Sequence, residues 1–223
     1  MVKSIIFDLD GLLINSEIIC YQIYNKILER YVDHKFLLED YTQNYCGKIL
    51  EKNIASLIEQ FHLPISFDEG MDLYKSIENE YVQKGIPLKD GAKEILTYLK
   101  ENDYKISLAS SSTRERALTI LKDNQIDQYF DYYTFGYEVP QGKPAPDIFI
   151  KACEKTNCLP EESLILEDSE AGIQAAASAG IPVICIPDLK MPSEEMIGKT
   201  AAVLKSLYYV REWLEDEAKS YVK

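Results

Sequence analysis

Short, wholly apolar runs alternate along this chain with stretches in which apolar residues recur every three or four positions. The first run, SIIF at positions 4–7, stops at Asp8 and is followed by Gly11, as a buried parallel strand does at its carboxyl end. Similar runs span Tyr104–Ala109, Ser163–Leu166 and Pro182–Ile186, each behind a helical stretch and ahead of polar or turn residues. Ala92, Ile95, Leu96 and Leu99 fall at i, i+3, i+4 and i+7 behind Asp90, a candidate N-cap. Ser112 with Glu115 three residues on is a capping-box pattern, opening a helix that carries Ala117, Leu118 and Leu121. Ala171–Ala179 runs into Gly180 as a C-terminal stop, and Leu207, Val210 and Leu214 mark a last helix. This βα alternation predicts an α/β fold, a doubly wound parallel sheet of Rossmann-like form.

Between the first strand and Asp90 the pattern changes to helical stripes with no strand run. Cys20, Ile23, Tyr24, Ile27, Leu28 and Tyr31 share one face, Leu50, Ile54, Leu57, Ile58 and Phe61 a second, and Met71, Tyr74, Ile77 and Tyr81 a third. A helical lobe must bury a core of its own, so these stripes read as packing surface. The expected organisation is a core domain over 1–14 and 87–223, with an inserted α-helical cap over 15–86.

A length of 223 residues suits one full core with an accessory lobe. A net charge of −13 repels a nucleic-acid backbone, so neither DNA nor RNA is an expected partner. A small anion stays admissible, because salt screens repulsion beyond roughly 8 Å and a local cation dominates inside a cleft. The five cysteines, Cys20, Cys46, Cys153, Cys158 and Cys185, lack zinc-site spacing and read as reduced core thiols. No apolar run reaches membrane-spanning length and Asp8 interrupts the first, so the expectation is a cytoplasmic, monomeric protein without membrane contact.

Four segments carry candidate chemistry. DLDG sets Asp8 and Asp10 at i and i+2 where a buried strand meets its loop, so both carboxylates can face one crevice. A calcium loop starting at Asp8 is excluded, since its sixth and twelfth positions would be Leu13 and Ile19 in place of glycine and glutamate. ISLASSS runs a strand into Ser110, Ser111 and Ser112 before a helix, where hydroxyls and N–H groups either hold phosphate oxygens or cap the helix. GKPAPDIF places Lys143 between Gly142 and Pro144, a stiff loop that aims a point charge, with Asp147 at a helix start. LILEDSEAG ends a strand in Glu167 and Asp168, on the same edge of the sheet as Asp8. Such oxygen donors suit Mg²⁺, and with only His34 and His62 in the chain, imidazole metal sites and Ser/His/Asp triads have no material.

In this order, the four segments resemble the haloacid dehalogenase superfamily, in its phosphatase and β-phosphoglucomutase-like branch with a helical cap inserted after the first motif. The resemblance spans nearly the whole chain. It implies that Asp8 is a nucleophile forming an aspartyl-phosphate and that Asp10 protonates the leaving alcohol, then activates water. It further implies that Ser110, Ser111 and Lys143 bind the phosphoryl oxygens. Asp8, the main-chain carbonyl of Asp10, and Asp168 would bind Mg²⁺, with Glu167 a ligand or a neighbour of one.

The implied activity is hydrolysis of a small phosphorylated metabolite, a sugar or polyol phosphate, with Ser16, Glu17, Cys20 and Lys48 facing it from the cap. A haloacid substrate would need neither Asp10 nor the Glu167–Asp168 pair. β-Phosphoglucomutase activity is the nearest rival; in that mutase a histidine ten positions past the second aspartate helps gate it, and here that position is Cys20. Lys48, Ser112 and Arg114 are the groups available to a second phosphate. A phospho-receiver, the rival outside enzymes, has neither the lobe nor an Asp10.

Overall fold

The computed structural model describes residues 2–33 and 35–220; His34 lies outside them. Two compact units are present, Met1–Asn15 with Pro87–Lys223, and Ser16–Ile86. The first holds strands β1 (Ser4–Phe7), β2 (Lys105–Ser110), β3 (Tyr132–Phe135), β4 (Ser163–Glu167), β5 (Val183–Cys185) and β6 (Ala202–Val203). The second is helical: α1 (Ser16–Leu28), α2 (Leu38–Asn44), α3 (Leu50–Phe61) and α4 (Phe67–Lys84). The first unit's helices are α5 (Ala92–Glu101), α6 (Arg114–Asp123), α7 (Asp147–Thr156), α8 (Glu170–Ala179), α9 (Glu194–Ile197) and α10 (Tyr208–Ser220).

The strands form one parallel sheet in the order β3-β2-β1-β4-β5-β6. The chain builds outward from β1 in one direction, then crosses to β4 and builds in the other, so the order reverses beside β1. In open α/β sheets that reversal opens a crevice at the carboxyl ends of the strands. Phe7 pairs in register with Leu108 on one side and Leu166 on the other. One residue further lie Asp8 and Glu167, and the Asp8 N–H donates to the Leu166 carbonyl at 3.1 Å. Ile5, Ile6 and Phe7 are fully buried. Each such side chain contributes about 1.5–3 kcal/mol, which anchors the strand that carries Asp8. On one face Ile6 and Ile165 pack among Ile148, Phe149, Ile173 and Val183 from α7, α8 and β5.

Two strands and two helices, α2 and the four-residue α9, lay beyond the sequence pattern. β3 reads YYTF and is only half-buried over its first two residues, while β6 is two residues long. In the helical unit α2 bears just one buried residue, Tyr41. Two expected caps shift: Gly91, not Asp90, is the N-cap of α5, and Thr113, not Ser112, caps α6 by accepting the Arg116 N–H. The capping box over Ser112 and Glu115 is therefore absent, and Arg116 takes the third helical position that such a box gives to glutamate.

The helical unit is held by phenols and amides. Tyr24 lies 5.6–5.9 Å, ring to ring, from Tyr41, Tyr45 and Tyr74. Buried Asn25 accepts the Phe36 N–H at 2.8 Å, and buried Asn53 donates to the Tyr45 carbonyl at 2.8 Å. A capping box of Ser66 and Glu69 starts α4. All five cysteines are free thiols, four of them buried. Among the described residues no helix is long and apolar enough to cross a membrane.

Candidate active site

Three buried charges meet where β1, β4 and the loop before α7 converge. Lys143 Nζ donates to Asp8 Oδ1 at 2.5 Å, to Glu167 Oε1 at 2.6 Å and to the Ala109 carbonyl at 3.3 Å, which engages all three ammonium hydrogens. The same ammonium lies 4.9 Å from the centre of the Phe149 ring, and the side chain is 7% exposed. The cluster holds one cation against two carboxylates, and burial acts on every member. Burial pushes the Asp8 carboxyl up to about 7, with Lys143 pulling it down and Glu167 pushing it further up. Burial lowers the Lys143 ammonium, but Asp8 and Glu167 outweigh that and hold it above its ordinary value, so the lysine stays charged. The surplus negative charge leaves room for a further cation.

Asp168 follows directly. A Cβ on Gly11, whose φ is +81°, would sit 2.1 Å from Asp168 Oδ2, so the Asp168 carboxylate lies across the loop that Asp8 and Asp10 open. Only glycine tolerates both that φ and that approach. Glu167 behaves differently from its neighbour. Oε2 accepts the Asp168 and Ser169 N–H groups and the Ser169 hydroxyl, each at 2.9 Å, while Oε1 is on Lys143. It is 1% exposed, and Gly172 makes space for it, since a Cβ there would come within 1.8 Å of Oε1. With both oxygens engaged, Glu167 holds Lys143 and the start of α8, an arrangement that suits the second of the two places the sequence allowed it, beside a metal ligand.

Among the described residues no group of three or more His, Cys, Asp or Glu side chains is arranged to hold a metal ion. An ion here would rest on fewer side chains: the Asp8 and Asp168 carboxylates, supplemented by main-chain oxygen such as the Asp10 carbonyl, and water. That all-oxygen, mixed donor set fits Mg²⁺, which keeps several waters and takes one or two carboxylates.

Asp10 is held by a different set of partners. Arg116 of α6 grips it bidentately, Nη1 to Oδ2 at 3.0 Å and Nη2 to Oδ1 at 2.8 Å, and the Ser112 hydroxyl donates to Oδ2 at 2.7 Å. Arg116 Nη1 also donates to Ser112 Oγ at 2.6 Å. Sequence reasoning passed over Arg116; the available signal was a cation at the first turn of a helix that follows the strand-end serines. Ser110 is 1% exposed and its hydroxyl accepts the Ser112 N–H at 3.1 Å, whereas Ser111 is exposed. Arg114 lies over the Phe135 ring, 5.7 Å from its centre.

The four residues expected to contact substrate from the lobe belong to the helical unit. Ser16 is buried at the start of α1, Glu17 accepts the Tyr41 hydroxyl, Cys20 shares a hydrogen bond with the Tyr74 hydroxyl at 3.1 Å, and Lys48 is exposed.

Comparison with known proteins meets the same residues. A phosphorylated carbohydrates phosphatase of Thermotoga maritima is 30% identical over 190 residues, covering 81% of this chain and 82% of that protein. The probable pseudouridine-5'-phosphatase of Drosophila melanogaster is 31% identical over 92% of this chain and 90% of its own. Among solved structures, a HAD family hydrolase from Deinococcus radiodurans R1 with bound phosphate and sodium superposes with a TM-score of 0.83 at 25% identity, over 96% of both chains. The family model for haloacid dehalogenase-like hydrolases matches residues 5–186, from β1 through the end of β5, and so takes in Asp8, Asp10, Ser110, Lys143 and Asp168 together: the chain belongs to that family.

Proposed function

We propose that this protein is a Mg²⁺-dependent phosphomonoester hydrolase that acts on a small phosphorylated metabolite, a sugar or polyol phosphate, through a phosphorylated Asp8. The observation that carries this reading is the Lys143 ammonium bridging Asp8 and Glu167 at the reversal point of the sheet. A buried lysine locked between two carboxylates presents a fixed positive charge beside the nucleophile, where a phosphoryl group must dock. The relatives' names support the substrate class, and the structural relative that holds phosphate supports the site.

In the first step an Asp8 oxygen bonds to phosphorus as the ester P–O bond breaks, and Asp10 gives its proton to the departing alkoxide. In the second, Asp10 takes a proton from water, whose oxygen displaces Asp8 from phosphorus and releases inorganic phosphate. Ser110 and Ser111 orient the phosphoryl oxygens together with Lys143. Mg²⁺, held by Asp8, Asp168 and the Asp10 carbonyl, would supply Lewis-acid stabilisation of the phosphoryl charge. Asp8, Asp168 and a phosphate dianion sum to about −4, against about +3 from Lys143 and a divalent ion, so neither cation is dispensable. Glu167 keeps Lys143 aimed, and the helical unit selects the leaving group.

A phosphate-release screen over phosphomonoesters, with and without Mg²⁺ and with Asp8→Asn as control, tests the reading. Turnover only with metal and only with Asp8 is expected. Full activity in the asparagine variant or without metal would sink it, and conversion of β-glucose 1-phosphate to the 6-phosphate without phosphate release would establish a mutase.

A further inference from the structure

Lys89 has no role in the reaction just described, yet it is bonded to both of the loops that frame the proposed metal donors. We propose that Lys89 is a positioning residue: its ion pair with Asp188 fixes the spacing between the turn that bears Asp10 and the strand end that bears Asp168, and with it the fit of the divalent ion. The inference rests on the phosphatase reading and deepens its account of the metal site.

The first loop is the turn after β1. The Leu13 and Ile14 N–H groups close it on the Leu9 carbonyl at 3.0 and 3.2 Å, and the Gly11 N–H donates to the Ile14 carbonyl at 3.2 Å. Asp10 pairs with Ile14 across the turn, and Ile14 pairs with Leu88 in an antiparallel bridge. The Lys89 N–H donates to the Leu13 carbonyl at 2.9 Å, and the Asn15 side-chain amide donates to the Leu88 carbonyl at 3.1 Å. The backbone at Lys89 is thus hydrogen-bonded into the turn that sets the Asp10 carbonyl. The second loop follows β5. The Lys89 ammonium donates to Asp188, 99 positions away in the chain. Two residues before Asp188, the Ile186 N–H donates at 2.8 Å to the Glu167 carbonyl, in the peptide group that leads into Asp168.

Stability does not account for the pair. The Lys89 and Asp188 side chains are 17% and 8% exposed, so both charges are largely withdrawn from water. Asp188 Oδ2 accepts no hydrogen bond among the described residues, and burial raises the Asp188 carboxyl while Lys89 pulls it down. Leu12, Ile186, Pro187 and Leu207 line the same cavity as Lys89, and in such surroundings apolar side chains of equal volume stabilise a fold as well or better. What apolar packing lacks is direction. A charge-assisted N–H···O bond holds its two heavy atoms at about 2.7–2.9 Å. Mg²⁺ demands comparable constancy, since it takes near-ideal octahedral donors at about 2.0–2.1 Å. A directional tie between the two loops that supply those donors meets that demand.

Three variants of the full chain test this. Lys89→Met combined with Asp188→Leu fills the space without charge. Its urea midpoint should hold or rise while Mg²⁺ affinity, read by calorimetry, falls about tenfold. On a phosphomonoester that wild type hydrolyses, kcat should fall by a similar factor with KM little changed. Lys89→Arg keeps the pair, the cavity of about 380 Å³ beside it admits the larger guanidinium, and most of both quantities should be restored. Asp188→Asn keeps the side chain's shape and removes its charge, so it decides the matter should the double variant fail to fold; a loss of Mg²⁺ affinity of about threefold is expected. Wild-type affinity in the double variant or in Asp188→Asn would overturn the proposal. So would a wild type that binds no Mg²⁺, or a loss in Lys89→Arg as large as in the double variant. Absence of turnover on every ester, with Mg²⁺ binding that still depends on the pair, would count against the phosphatase reading alone.

Discussion

Lys143, Asp8 and Glu167 at the sheet edge and Tyr24, Tyr41, Tyr45 and Tyr74 in the helical unit are both buried polar clusters, but the first is ionic and the second neutral. The ionic cluster is unbalanced, with more acid than base, so its members push on one another: burial raises Asp8 and Lys143 pulls it back, which leaves it at about 7. The phenols are driven the opposite way from reactivity: burial holds Tyr24, Tyr41 and Tyr74 well above their ordinary value and pushes Tyr45 up to about 12, so they stay protonated and serve packing. Burial therefore stores chemistry where charges remain in surplus, and stores rigidity where every group can stay neutral.

The strongest way to break this contrast is Asp8→Asn, which should lower phosphate release by about 10⁴-fold or more. The same change should stabilise the metal-free protein at pH 8. The folded carboxyl titrates near 7, above its unfolded value of about 3.9, so wild type loses stability as the pH rises through that window and the asparagine variant does not. Urea midpoints of both at pH 5 and pH 8 check the sign; a variant that gains nothing at pH 8 would refute the surplus-charge picture. Next in size, Lys143→Met strands Asp8 and Glu167 without their cation and should cost about 3–5 kcal/mol of folding stability in addition to activity. Denaturation at pH 8 reads this directly.

Mg²⁺ should raise the wild-type unfolding free energy by about 2.7 kcal/mol at a hundredfold excess over its Kd, with most of that lost in Asp168→Asn. The phenol side gives the smallest effects. Tyr41→Phe removes the hydrogen bond to Glu17 and should cost about 1 kcal/mol, measured by urea denaturation. Its neighbours give a pH test: stability held by these phenols is complete below their unfolded value of about 10 and is lost as the pH rises toward the folded one. In an ultraviolet titration Tyr24, Tyr41 and Tyr74 should ionise only as the protein unfolds.

The sheet was largely legible because its inner strands are apolar on both faces and end in acid or serine. β1, β2 and β4 follow that rule and β5 is apolar throughout, whereas β3 has aromatic, half-buried residues and β6 is too short to show a period. In the lobe, α2 escaped notice because Leu38 is 40% exposed and Tyr41 alone is buried, leaving no stripe. At the site, Asp8, Lys143 and Asp168 announce themselves by standing at strand ends or between a glycine and a proline. Arg116 does not, since its partner lies 106 positions away and its helix position looks like an ordinary first turn.

The sequence by itself determined the α/β class, the edge on which the acids collect and the family whose motifs they spell, because periodicity and strand-end polarity are local properties of a chain. Only the tertiary structure decided how those acids divide their labour. Asp168 leans over Gly11, Glu167 is consumed by Lys143 and the turn into α8, and Asp10 is handed to Arg116 and Ser112. Hydrogen bonds act over about 3 Å, and which atoms come that close is fixed by packing between segments a hundred residues apart, not by spacing along any one of them.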